Sequence, residues 1–279
     1  MITSLHNPRV RFVLKLREPK YRRQTGLTIV EGVRELRIAL DSGAPLHEVF
    51  MSPELVDDAV KKSLLEAFAC RGISVIEVSS RVYERIAFGE RREGVLATAV
   101  IPRYTFADLG SAQNPGELAE RKLRLLVVVE GVEKPGNLGA IIRSADAAGA
   151  SGIIAADCRC DPFSPAVIRA SLGTALALPL CVTESRAAAE WLRENGFRVI
   201  AALVGAETPY WAVDYSERVA LVLGAEDKGL SDQWLGSWVE PVTIPMAGRV
   251  DSLNVSVAAA ILLFEVRRQY ELKHGRLQS

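Results

Sequence analysis

The chain has only four cysteines and three histidines among 279 residues, and none of them stands at a metal-binding spacing. Cys70, Cys158, Cys160 and Cys181 form no C-x-x-C pair and have no histidine nearby, which excludes a zinc finger or ribbon and leaves reduced, structural thiols. No apolar run approaches the roughly 18 residues of a membrane-spanning helix, and no stretch has the build of a signal peptide. A cytoplasmic protein without membrane partners is expected. Both common phosphate-loop signatures, G-x-G-x-x-G and G-x-x-x-x-G-K-[ST], are missing, which weakens dinucleotide and P-loop chemistry. Net charge is missing as well, with 34 basic residues against 34 acidic ones. That balance argues against a chain that is basic throughout.

What is present is unevenly distributed. Residues 1–23 hold Arg9, Arg11, Lys15, Arg17, Lys20, Arg22 and Arg23 against Glu18 alone, a local charge of +6 that could neutralise several phosphates or form a solvated basic helix. Asn7-Pro8 supplies a helix cap and a proline for the first helical position, and Val10, Val13 and Leu14 give that basic helix, 7–17, an apolar face. Strands at 27–30, 48–51, 74–77 and 95–99 alternate with helices at 32–40 and 54–69, which predicts a small α/β domain with largely parallel pairing. The pattern lapses over 101–122, around Pro102, Gly110 and Asn114-Pro115-Gly116, as a linker would. A second α/β domain opens with the continuous apolar run Leu125–Val129, a strand buried on both faces. Helices at 137–149, 164–172 and 185–195 and strands at 152–155, 198–203, 219–223 and 242–244 follow, and a long helix ends the domain. The predicted organisation is therefore 1–100, linker 101–122, and 123–279.

Three loops of the second domain carry polar residues where an apolar strand gives way, which is where α/β sheets keep their ligands. The first has Asn137 as a predicted N-cap, with Gly139 and Arg143 four apart on one helix face. Arg143 could serve a ligand or pair locally with Asp146. The second, Gly224-Ala225-Glu226-Asp227-Lys228-Gly229, is a surface turn or a site where Gly224 admits a ligand close to the backbone and Glu226 offers a carboxylate. The third runs from Ile244-Pro245-Met246 to Ser252-Leu253-Asn254, where Ser252 or Asn254 can cap the last helix. Capping accounts for one polar residue there but not for Asp251, Ser252 and Asn254 together.

In order and spacing, N-x-G-x-x-x-R at Asn137, Gly139 and Arg143, G-x-E-x-x-G at Gly224, Glu226 and Gly229, and I-P-M…S-L-N-V-S-V-A from Ile244 to Ala258 resemble the SpoU family of RNA ribose 2′-O-methyltransferases. The N-terminal half resembles that family's substrate-binding domain through Asn7-Pro8, Val30-Glu31-Gly32 and Glu93-Gly94-Val95-Leu96-Ala97. Glu93 and Ala225 depart from the commoner glutamine and small polar residue. The resemblance implies a deep trefoil knot in the C-terminal α/β domain, S-adenosylmethionine held at Gly224, Ile244 and Leu253, and a homodimer formed through the knotted domains. It also implies methyl transfer to RNA, 23S ribosomal RNA ahead of transfer RNA, with Arg143, Asn137, Glu226, Ser252 and Asn254 as the catalytic set. A guanidinium with a pKa above about 12 is a costly base, so binding the adjacent phosphate and polarising the hydroxyl suits Arg143 better. A non-catalytic RNA-binding assembly factor on the same fold is the contrasting expectation, and intact Arg143, Glu226 and Asn254 argue against it.

Overall fold

The computed structural model describes residues 1–89, 93–110, 123–215 and 218–274. Its elements are α1 (Pro8–Lys15), α2 (Pro19–Thr25), β1 (Leu27–Glu31), α3 (Val33–Asp41), β2 (Leu46–Met51), α4 (Asp58–Ala69), β3 (Val75–Glu77), α5 (Ser80–Ile86), β4 (Val95–Val100), α6 (Phe106–Gly110), β5 (Arg124–Glu130), α7 (Pro135–Ala147), β6 (Gly152–Ala156), α8 (Pro165–Ala170), β7 (Leu180–Thr183), α9 (Ser185–Glu194), β8 (Arg198–Ala202), β9 (Arg218–Leu223), β10 (Val239–Val242) and α10 (Val255–Lys273). They form two compact units: Met1–Pro102 with Asp161–Ala177, and Arg103–Cys160 with Leu178–Ser279. The segment 161–177, which by sequence belongs with the second domain, thus packs in the first unit.

The first unit holds a four-stranded sheet in the order β1-β4-β2-β3. Its pairing corrects the expected parallel arrangement: β4 lies between β1 and β2 and runs antiparallel to both, and only β2–β3 is parallel. Alternation of strand and helix gives the order of elements along the chain, but not which strand inserts between which others. At the start, the side chain of Asn7 accepts from the N–H of Arg9 (2.9 Å), and Pro8 occupies the first helical position, as predicted. Val10 and Val13 of α1 pack with Val82, Tyr83 and Ile86 of α5, a helix capped by Ser79 that the periodicity had not indicated.

The basic N-terminal segment is only partly available to a ligand. Arg22 is buried at 2% exposure and donates to Asp161 (2.6 and 2.8 Å) and to the carbonyls of Leu16 and Arg17 (both 2.8 Å). It thereby satisfies carbonyls at the end of α1, which has no other side-chain cap in view, and fastens segment 161–177. Arg17 donates to the carbonyls of Arg85 and Ala87, and Arg9 pairs with Glu48 at 3.1 Å. Arg11, Lys15, Lys20 and Arg23 remain exposed, as do Arg81 and Arg85 on α5. Arg91 and Arg92 lie outside the described residues, as does most of the expected linker.

The second unit holds six parallel strands in the order β10-β8-β9-β5-β6-β7. β5 is central and buried from Leu125 to Glu130, as its apolar run predicts. Pro241 is tolerated in β10 because that strand is an edge, paired only with β8. β10 starts earlier than the predicted 242–244, and β7 was not foreseen. Helix α7 begins at Pro135, with Lys134 at the cap position. Asn137 is therefore the third helical residue and not the N-cap, because a proline at the first position needs no N–H partner and starts the helix a turn early. Asn254 does cap α10, its side chain accepting from the N–H of Ser256 at 2.9 Å.

Removing the Arg22 side chain strands a carboxylate and two carbonyls. Arg22→Ala should lower unfolding free energy by about 3 kcal/mol, the scale for breaking a buried ion pair from one side. Arg23→Ala, exposed next to it, should stay within about 0.5 kcal/mol. Urea denaturation of both variants checks the contrast.

Candidate active site

The second unit opens into a cavity of about 800 Å³ beyond the carboxyl ends of β8, β9 and β10. Ala202, Leu203 and Val204 form one wall, the loop Leu223–Leu230 another, and the segments 242–246 and 251–255 close it. Of the residues singled out by sequence, Gly224, Glu226, Ile244, Ser252, Leu253 and Asn254 all line this cavity. Asn137 and Glu226 line a smaller neighbouring cavity of about 230 Å³ together with Val132, Lys134, Asp227 and Val255.

Local folding explains the shape. Gly224 is needed for the loop's own closure. A Cβ there would lie 2.3 Å from the backbone of Gly229 and 2.7 Å from the nitrogen of Leu230, so the glycine lets the loop fold back on itself. Gly229 completes that turn with φ +65°, in the left-handed region. Behind the loop stands Glu130, the buried last residue of β5. Its carboxylate accepts from the N–H of Ser231 (2.7 Å), the Ser231 hydroxyl (2.7 Å) and the indole N–H of Trp234 (2.9 Å). Glu130 therefore anchors the far end of the loop to the central strand.

In front of the loop, Glu226 joins all three motifs. Its Oε1 accepts from the amides of Asn137 and Asn254, both at 2.7 Å, and its Oε2 accepts from Lys134 Nζ at 2.6 Å. Asn254 also donates to Asn137 Oδ1 at 3.2 Å. The hydrogen bond from Lys134, first among the causes, holds the Glu226 carboxyl below its ordinary range, and Glu226 in turn raises the Lys134 ammonium. Ser252 donates to Asp251 and takes no part in this network. Arg143 stands apart. It is exposed on α7, roughly 9 Å along the helix axis from Asn137, and makes no side-chain hydrogen bond or ion pair with a described residue. Cys158, close to the end of β6, donates to the carbonyl of Val129, and burial pushes its thiol up to about 12, which favours the neutral form.

Sequence reasoning gave no site role to Lys134, Glu130, Leu203 or Leu235. Lys134 and Glu130 flank the first motif and could have been suspected from charge at a strand end. Leu203 and Leu235 carried no signal, since they are ordinary apolar residues until three loops converge.

Residues 124–264 match the SpoU rRNA Methylase family, and residues 7–97 match an MRM3-like substrate binding domain. The chain is similar to an uncharacterised tRNA/rRNA methyltransferase of Synechocystis, 33% identical over 96% of this chain and 93% of that one. It is equally similar, at 33%, to a 23S rRNA (guanosine-2′-O-)-methyltransferase of Coxiella burnetii, over 87% of this chain and 96% of that one. Among solved structures, an AdoMet-bound rRNA methyltransferase from Sinorhizobium meliloti superposes with a TM-score of 0.81 at 32% identity, covering 96% of this chain and 97% of that one.

Glu130→Ala would leave the buried Trp234 indole N–H unpaired, while the exposed Ser231 groups can turn to water. A stability loss of about 1–3 kcal/mol is expected for such an orphaned donor. Thermal melting should show it, with a red shift in the emission of Trp234 as the loop loosens.

Proposed function

We propose, for a chain that belongs to the SpoU rRNA Methylase family, that it transfers the methyl group of S-adenosylmethionine to a ribose 2′-hydroxyl of RNA, with 23S ribosomal RNA as substrate. The observation that carries this is the meeting of the second and third motif loops around one cavity whose size and lining fit the cofactor, with the first motif tied to them through Glu226. The cavity wall is mostly backbone and apolar side chain, with Gly224, Ile244, Met246 and Leu253 among its members. Such a lining suits an adenosine with a short polar tail. When bound, S-adenosylmethionine would supply an activated methyl group for the 2′-oxygen and leave as the neutral thioether, with the hydroxyl proton passing to solvent.

The chain's own residues would do the rest. Arg143, exposed and unengaged by described side chains, binds the phosphate beside the acceptor ribose and polarises the hydroxyl. Asn137, Glu226 and Asn254 hydrogen-bond one another, so their contribution is to hold the loops in place, and Ser252 offers a hydroxyl at the cavity wall. Family membership supports the knotted path of the C-terminal segment. A homodimer through this unit is supported by apolar side chains left in water: Val257 and Phe264, seven apart on α10, and Val250 beside the cavity loop. No helix among the described residues is long and apolar enough to cross a membrane.

Arg143→Ala should fold and bind S-adenosylmethionine normally but lose methyl transfer by ~10²-fold or more, the scale for a lost charge-stabilising group. Arg143→Lys should recover little, for want of the planar fork. Single-turnover methylation beside thermal melting decides, and near-normal turnover in Arg143→Ala would remove the residue from the site. For the first unit, neutralising the exposed Arg11, Lys15, Lys20 and Arg23 together should weaken RNA binding and flatten its salt dependence while leaving cofactor affinity alone. An unchanged salt slope would show that this face does not meet RNA.

A further inference from the structure

Lys134 is the one member of the Glu226 network that no motif includes. It occupies the cap position of α7, where the backbone is fixed by Pro135, and its side chain crosses the smaller cavity to the opposite loop. A cation is electrostatically disfavoured there, because a helix N-terminus carries partial positive charge. Something must offset that cost, and the contact with Glu226 at 2.6 Å does so. The geometry divides the carboxylate in two: Oε2 serves Lys134 and leaves Oε1 to bind both amides at once.

We infer that Lys134 is a positioning residue of the transfer site, holding the Glu226 carboxylate oriented so that it draws the loops after β5, β9 and β10 together beside the cofactor cavity. This rests on the function proposed above. A neutral Glu226 would have one oxygen acting as a donor, and it could no longer accept from Lys134 and two amides together. The charged groups acting on Glu226 are Lys134 and, on the negative side, its own neighbour Asp227, with Asn254 facing it from the cap of α10. Glu133 acts on Lys134 and is itself paired with Arg159 at 2.6 Å. Lys134 is thus the cation in direct contact with Glu226.

The sign of the pH effect follows. Because the Glu226 carboxyl is depressed in the folded protein, the network is intact above that lowered value and is lost as pH falls through it. Taking away Lys134 lets Glu226 protonate at a higher pH, so the acid limb of cofactor binding should move upward.

The test measures S-adenosylmethionine affinity by calorimetry across pH, and RNA affinity separately, in Lys134→Met, Lys134→Arg, Glu226→Gln and the Lys134→Met/Glu226→Gln pair. Lys134→Met should bind the cofactor about fivefold more weakly, the scale of an exposed charged pair. Its acid limb should shift up, Lys134→Arg should restore most of the loss, and Lys134→Met should add little in the Glu226→Gln background. RNA affinity should not change. If cofactor affinity holds while RNA affinity and its salt slope fall, Lys134 contacts a phosphate directly and the inference is wrong. It is equally wrong if the two substitutions simply add. These readouts do not depend on turnover, so a wild-type protein that binds the cofactor yet methylates no RNA would sink the functional proposal and leave the role of Lys134 standing. A wild-type protein that binds no cofactor would sink both.

Discussion

The Glu226 carboxylate, accepting from Lys134, Asn137 and Asn254, is the interaction on which the shape of the cavity depends. Parallel strands end in loops with no partner strand to hold them, and three such loops would splay apart in water. One ionised group with two oxygens can take several donors at once, which makes it an economical junction. The arrangement costs little in desolvation, because Glu226 is only partly buried and keeps contact with solvent. Glu130 performs the complementary task from inside, where a buried carboxylate is tolerable because its oxygens share three donors. The loop after β9 is thus held at its tip by one carboxylate and at its end by another, with Gly224 allowing it to fold flat between them.

The first unit has its own version of this economy. Arg22 closes the end of α1, fastens segment 161–177 through Asp161, and does so almost entirely out of water. Thr28, buried in β1, adds a hydrogen bond to the carbonyl of Phe163 at 2.6 Å. Cations that look like nucleic-acid contacts in the sequence are therefore of two kinds, some spent on building the unit and some left on its surface. A count of charge over residues 1–23 cannot separate them, because it depends on which guanidinium finds a carbonyl.

Much of the site was legible from the chain alone. Gly224, Glu226, Ser252 and Asn254 were picked out by their place between apolar strand and apolar helix, Ile244 and Leu253 by the family resemblance, and the structure gathers them around one cavity. Asn7 and Asn254 were recognisable as caps, since capping depends on a few neighbouring residues. Asn137 was misplaced at the helix start because Pro135 two residues earlier had the stronger claim. The crowding around Gly224 was not legible, as the backbone that meets it comes from a turn whose closure no local pattern displays.

The sequence by itself determined most of the elements, the buried central strand β5 and the motif residues, because periodicity, capping and turn chemistry act over a few residues. Only the tertiary structure decided that β4 enters its sheet antiparallel between β1 and β2, that segment 161–177 joins the first unit, and that Lys134 reaches Glu226 from 92 positions away in the chain. Those outcomes turn on which surfaces meet once the chain collapses. They are settled by packing and by the pairing of buried or crowded polar groups, and these are energies between residues distant in sequence.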